Sequence, residues 1–215
     1  MAILIPSLGF ARFDSRGELR LAERLKDFLE ENAVVWHNLP VGPRNRHPDF
    51  IIIHPANGLL VLEVKDWRLE TIVSADKTKV ELLTSRGAVR ESNPLEQARK
   101  YTFEVVRTLE RDGQLLFPPG HRLAGRSIVP FGFGAVFTNI TRKQFDRTDL
   151  KEVFSEHLCL ASIPAQLAFT AAQKRAASRR RFCAARRLHH ERMTRAPPNP
   201  IRGDRERSRG HTFWR

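Results

Sequence analysis

The stretch Asp49-Phe50-Ile51-Ile52-Ile53-His54-Pro55-Ala56-Asn57-Gly58-Leu59-Leu60-Val61-Leu62-Glu63-Val64-Lys65 decides the fold. Two runs of Ile, Val and Leu flank four residues of turn type, Pro55 to Gly58, so the segment predicts two antiparallel strands over 49–54 and 59–65. Neither run alternates apolar with polar residues. Strands apolar on both faces sit in the middle of a sheet with helices on each side, which makes the expected fold class α/β.

Working outward, residues 15–31 predict a helix, because Leu21, Leu25, Phe28 and Leu29 recur at helical spacing among charges. Ser15 and Glu18 have the form of a capping box. A short strand is expected over 33–36, and a further strand over 80–84 beside the central pair. Asn93, Pro94 and Glu96 open a second helix that runs to about residue 112, with Leu95, Ala98, Thr102, Val105 and Leu109 as its buried stripe. Another strand follows over 128–137 and a short helix over 149–157. The order α-β-β-β-(β)-α-β-α is that of a central mixed sheet flanked by helices.

Charge divides the chain. Of 215 residues, 37 are Lys or Arg and 24 Asp or Glu, a net +13. Up to Leu160 the balance is 23 basic to 21 acidic, and from Ala161 on it is 14 to 3. From Ala171 to Arg215 there is one Leu, one Ile and no Val. Such a segment buries too little apolar surface to offset its ordering entropy, so residues 161–215 are expected to form a disordered basic tail, with a fraying Ala/Arg helix over 164–187. Arg179-Arg180-Arg181 and Arg186-Arg187 would hold phosphates nonspecifically; the alternative is that the tail is a non-native extension of a truncated longer protein.

Several classes are excluded at this stage. No apolar run approaches the roughly 20 residues of a membrane-spanning helix. The first ten residues lack the basic n-region of a secretory signal. Cys159 and Cys183 are too few for a disulfide framework or a cysteine-rich zinc site, and His189-His190 lack companions at metal spacing. A soluble, cytoplasmic protein with one main domain is expected.

The chemistry-bearing residues are Asp49 at the head of one strand and Glu63 and Lys65 at the end of the next. Alternation puts Glu63 and Lys65 on one face. Two registers place Asp49 differently. With a four-residue loop, Pro55 to Gly58, His54 pairs Leu59, and Asp49 lands opposite Val64 on the other face. With the three-residue loop Ala56-Asn57-Gly58, Pro55 pairs Leu59, and Asp49 lies opposite Lys65 on the face of Glu63. Gly58 suits the left-handed position closing such a loop, which favours the convergent register. Two converging carboxylates form an oxygen-rich site suited to Mg²⁺ or Mn²⁺, and a lysine beside a scissile phosphate orients or helps deprotonate water and stabilises the transition state.

Gly17-Glu18 opening a helix, His47-Pro48-Asp49-Phe50-Ile51-Ile52-Ile53, Gly58 through Lys65-Asp66-Trp67, and Asn93-Pro94-Leu95-Glu96-Gln97-Ala98 together resemble the nuclease-related domain (NERD) family of the PD-(D/E)XK restriction-endonuclease-like superfamily. The resemblance covers about residues 12–157. It implies a restriction-endonuclease-like core with Asp49 and Glu63 as metal ligands and Lys65 as the catalytic lysine. Glu18 matches an additional acidic position of the family, and is also read as a helix-cap carboxylate.

Gln97 and Tyr101 are similar to the Gln-x-x-x-Tyr motif of recombination helicase-nucleases. At i and i+4 they share a helical face, set apart from the Leu95/Val105/Leu109 stripe, that would point into the site; the alternative is a polar flank with a half-buried tyrosine. Trp67 is read either as a platform for a nucleobase or as packing, His47 as shaping its turn, and Arg68 as a local attraction for DNA. The resemblance implies that in longer members a helicase or another domain follows this one, and no walker-type phosphate loop occurs here. The expectation is a Mg²⁺- or Mn²⁺-dependent deoxyribonuclease in DNA processing or repair, with a helicase domain or partner. The alternatives are a catalytically idle DNA-binding module of the same fold, and an RNA-binding or structural protein whose acidic cluster is an ion-pair network.

Overall fold

The computed structural model describes residues 1–154 and 159–161. The tail expectations, together with Cys183 and His189-His190, lie outside the described residues.

Six strands form the central sheet in the order β1-β2-β3-β4-β8-β9. These are β1 (Ile3–Ile5), β2 (Val34–His37), β3 (Phe50–His54), β4 (Gly58–Lys65), β8 (Phe131–Phe137) and β9 (Cys159–Ala161). The β2-β3-β4 ladder is antiparallel, whereas β1 runs parallel to β2, and β8 and β9 continue parallel to β4, so the sheet is mixed. Helix α1 (Arg16–Phe28) covers one face, where Leu21, Ala22 and Leu25 meet Phe50, Ile52, Leu60, Leu62 and Val64. Helix α2 (Pro94–Leu109) covers the other, where Tyr101 and Val106 meet Ile51, Leu59 and Val61. Odd residues of β4 therefore face α2 and even residues face α1. Both faces are buried, which is why the strands read as unbroken apolar runs.

The helices begin where the sequence predicts. Ser15 caps α1 by accepting the Glu18 amide at 3.1 Å. Asn93 caps α2 through the Leu95 amide at 2.9 Å, with Pro94 in the first turn. Helix α1 stops at Phe28, short of the expected residue 31, because Leu29 turns extended and enters the core. Two further short helices, α3 (Arg142–Asp146) and α4 (Leu150–Val153), follow β8, the second within the span 149–157 where a short helix is expected. Among the described residues no helix is long and apolar enough to cross a membrane.

The expected strand over 80–84 does not join the central sheet. It is β6 (Lys79–Thr84), the middle of a separate antiparallel sheet with β5 (Ile72–Ala75) and β7 (Gly87–Ser92). Both edges of β4 are already taken, by β3 and β8, so no place remains beside it. Val80 and Leu82 of β6 pack instead on Trp67 and Phe137.

The β3–β4 register differs from both alternatives derived from the loop. His54 pairs Gly58 and Phe50 pairs Leu62, so the three loop residues are Pro55, Ala56 and Asn57. Continued one step, Asp49 falls opposite Glu63. Directly opposed residues share a face, so the carboxylates converge, through a pairing two positions away from the one expected, which keeps the same face. The cause lies at Gly58: with φ +84 it occupies the first ladder position of β4, not the last of the loop. A Cβ there would also overlap the Pro130 carbonyl, which accepts the Leu59 amide at 2.8 Å. Gly58→Ala combines an unfavourable φ with a backbone clash and is expected to cost about 2–4 kcal/mol, read as a lowered urea midpoint with an unchanged m-value.

Candidate active site

Asp49, Glu63 and Lys65 meet on the α2 face at the carboxyl end of β4. The Lys65 ammonium lies 3.1 Å from Glu63 Oε1 and 3.9 Å from Glu91 Oε2, with its Nζ 5.9 Å from the Trp67 ring centroid. Asp49 Oδ2 accepts the Val64 amide at 2.6 Å, which holds the carboxylate against the strand end. Glu63 is 4% exposed, and its Oε2 is buried without a hydrogen-bond partner among the described residues. An orphaned buried oxygen of this kind costs about 1–3 kcal/mol.

Glu18 approaches from α1. Its Oε2 accepts the Asp14 amide at 3.2 Å and lies 3.1 Å from His37 Nε2. Ser15 supplies one half of the expected capping box, but the reciprocal bond from Glu18 goes to Asp14, not to Ser15. His37, at the end of β2, is buried with its ring against Phe13 and Phe50, at centroid distances of 4.4 and 5.1 Å.

The start of α1 is tied to the end of β4 by Asp66. Its Oδ2 accepts the Gly17 amide at 2.9 Å, its Oδ1 takes the Thr138 hydroxyl, and its carbonyl takes Asn139 Nδ2 at 2.7 Å. A Cβ on Gly17 would fall on the Asp66 carboxylate and the Thr138 hydroxyl, so only glycine lets the helix approach this closely. A carboxylate at a helix N-terminus also suits the exposed amides and the dipole there.

Burial pushes both facing carboxyls up, aided by the charge of Glu18 and, for Glu63, by that of Asp49. Asp49 rises to about 6 although the Val64 amide pulls it down, and Glu63 rises to about 7 although Lys65 pulls it down. For Lys65 burial acts downward, but the charge and hydrogen bond of Glu63, with Asp49 and Glu91, outweigh it and hold the ammonium above its ordinary value. For Glu18 burial acts upward and is outweighed by the His37 hydrogen bond, the Asp14 amide and Ser15, so its carboxyl lies below its ordinary value. At neutral pH Glu18 is ionised while Asp49 and Glu63 still hold protons in part.

These features fit a hard divalent cation. The donors are oxygens, one of them unsatisfied, and a dication would relieve the repulsion that raises both carboxyls. Among the described residues no three His, Cys, Asp or Glu side chains converge as a ligand set, so water and substrate oxygens would complete the coordination, as Mg²⁺ commonly requires.

The remaining candidates separate. Gln97 is half-buried on α2, one turn before Tyr101, and its side chain makes no hydrogen bond to the described residues. Tyr101 is 9% exposed and packs with Ile51, Leu59 and Val61 alongside Val105 and Leu109, so it belongs to the stripe from which the sequence set it apart and offers little surface to DNA. Trp67 is likewise 9% exposed and packs at 5.9 Å on Phe137, which removes it as a base-stacking platform. Arg68 is exposed just beyond the strand end. His47 holds its turn, with Nδ1 3.2 Å from the Asn38 carbonyl. The sequence reading missed His37, Asp66 and Glu91. Of these, Asp66 had a signal, since it directly follows Lys65 within the quoted motif.

Fold and site together define the class: an α/β domain with an acidic, lysine-containing site at the end of a central strand. Comparison gives the family. The nuclease-related domain profile matches residues 14–126, more than half of the chain, which therefore belongs to that family. No curated protein and no solved structure matched.

Raised carboxyl values are also statements about stability. A group whose folded value exceeds its unfolded one stabilises the fold fully below the unfolded value, and that contribution is lost as pH rises through the folded value. For Asp49 the window runs from near 3.8 to about 6, and for Glu63 from near 4.5 to about 7. Asp49→Asn removes the repulsion, so without metal its melting temperature is expected to match wild type at about pH 4 and exceed it by several degrees at about pH 8, as thermal melts across pH would show.

Proposed function

We propose that the protein is a divalent-cation-dependent nuclease that hydrolyses DNA phosphodiester bonds. The observation that carries this reading is the buried Glu63 carboxylate, opposite Asp49, with one oxygen on Lys65 and the other without a partner. Membership of a nuclease-related family supports the phosphodiester as the bond attacked. DNA as the substrate, a cytoplasmic role in DNA processing or repair, and cooperation with a helicase domain or partner belong to the same proposal.

Asp49 and Glu63 would hold Mg²⁺ or Mn²⁺, which when bound polarises a phosphoryl oxygen and makes water more acidic. Lys65 stays protonated, so its part is to stabilise negative charge on the phosphoryl oxygens and not to remove a proton. Glu18, kept ionised by His37 and the Asp14 amide, accepts a hydrogen bond from the attacking water, and the uncommitted Gln97 amide completes the site. Arg68 binds a flanking phosphate. Water forms the new bond to phosphorus, one ester P–O bond breaks, the leaving oxygen takes a proton, and the proton lost by water passes to solvent.

A non-catalytic DNA-binding module of the same fold has one observation in its favour, the lack of a third converging ligand side chain among the described residues. Incubation of the protein with single- and double-stranded DNA separates the two readings. Cleavage is expected with Mg²⁺ or Mn²⁺, none with chelator, and a loss of about 100-fold or more in Glu63→Ala and Lys65→Ala. Persistent cleavage in either variant overturns the assignment, and DNA binding without cleavage in any condition establishes the idle module. Because both carboxylates must lose protons to take the cation, its affinity is expected to climb as pH passes through about 6 and 7 and to level off above, as measured by Mn²⁺ titration.

A further inference from the structure

Glu91 lies on β7, directly opposite Val80 of β6. Val80 is fully buried in the cluster of Trp67 and Phe137, so Glu91, directly opposite, lies on the face of the small sheet that turns toward the site. Its partner is Lys65, 3.9 Å away, and among the described residues it has no other. That distance is within ion-pair reach and beyond a hydrogen bond. Glu91 stands ready but not engaged, while Glu63 Oε1 holds the ammonium at 3.1 Å.

The end of β7 is well anchored. Asn93, two residues on, caps α2 with its Oδ1, donates its Nδ2 to the Asp76 carbonyl at 2.8 Å, and donates its amide to the Thr78 carbonyl at 2.9 Å. The backbone that carries Glu91 is thereby fixed to both the small sheet and α2. The side chain itself is 40% exposed and has room to move.

Glu63 cannot serve two cations equally well. A divalent ion taken up at the free Glu63 Oε2 would repel the ammonium held on Oε1 and weaken its hydrogen bond. We propose that Glu91 is the positioning residue for Lys65: it takes over the ammonium that Glu63 releases on binding a divalent cation, and keeps the lysine at the site. This rests on the reading of Asp49 and Glu63 as the cation-holding pair. It gives the β5–β7 sheet a direct part in the site, as the wall that carries the second anchor of the lysine.

The test is a double-mutant cycle on equilibrium binding of Mn²⁺ alone, followed by the resonance of the free ion, with thermal melts to confirm folding. Without Glu91 the lysine stays on Glu63 and competes with the cation. Glu91→Gln is therefore expected to weaken Mn²⁺ binding about fivefold or more in the otherwise wild-type chain, and less than about twofold in the Lys65→Met background. Glu91→Ala serves as a second variant with the same expectation. Equal weakening in both backgrounds would make Glu91 a ligand or a distant field and overturn the inference alone, as would no weakening in either. If the wild-type chain binds no Mn²⁺, or binds it unchanged in Glu63→Ala, the cation-holding pair itself falls and this inference with it.

Discussion

The contact between the Asp66 carboxylate and the Gly17 amide is the constraint on which the rest of the site depends. The charged groups come from opposite sides of the sheet: Glu18 from the helix on one face, Asp49, Glu63 and Lys65 from the other. Only at the strand end do the two sides meet, and Asp66, the residue after β4, joins them there. Thr138 and Asn139, just past the parallel neighbour β8, hold Asp66 from its other side, and Arg20 of α1 donates to Asn139 Oδ1 at 2.9 Å. Helix, central strand and neighbouring strand are fastened at one point, beside the residues proposed to do the chemistry.

Around that point the carboxyls differ in kind. Glu18 is given hydrogen bonds that favour its anion, whereas Glu63 has an oxygen with nothing to bind, and burial leaves Asp49 and Glu63 holding protons near neutrality. The same amino-acid type is stabilised as an anion in one place and left unsatisfied in another by which donors surround it: His37, Ser15 and the Asp14 amide for Glu18, none for Glu63 Oε2 among the described residues. Groups whose environments push their titrations apart are characteristic of sites that handle protons and charge. The basicity that dominates the overall composition lies mainly beyond Leu160, and the domain that carries this acidic site is close to neutral.

Much of the fold was legible because its signals are local. The apolar runs of β3 and β4, the Ser15 and Asn93 caps and the Pro-Ala-Asn-Gly turn are readable within a few residues. The register was less so: Gly58 was rightly expected to be left-handed, but whether it closes the loop or opens the strand depends on its approach to Pro130, far along the chain. The small sheet was nearly invisible, since β7 is mostly exposed and lacks an apolar face to announce it. His37 and Glu91 were missed because a single polar residue acquires meaning only from a partner on another element. Trp67 and Tyr101 each carry a substrate reading beside a packing one in the sequence, and contacts with Phe137 and Ile51 place both in the core.

The pairing of β3 with β4 is the most local in the central sheet, while β8 reaches the other edge of β4 only after the small sheet and α2 have intervened. Contacts close in sequence cost the least loop entropy and tend to form early. A local hairpin is thus enough to bring Asp49 and Glu63 face to face, whereas the Lys65–Glu91 and Asp66–Thr138 contacts must close longer loops. The carboxylate pair is encoded by the nearest contacts in the chain and completed by some of the most distant ones.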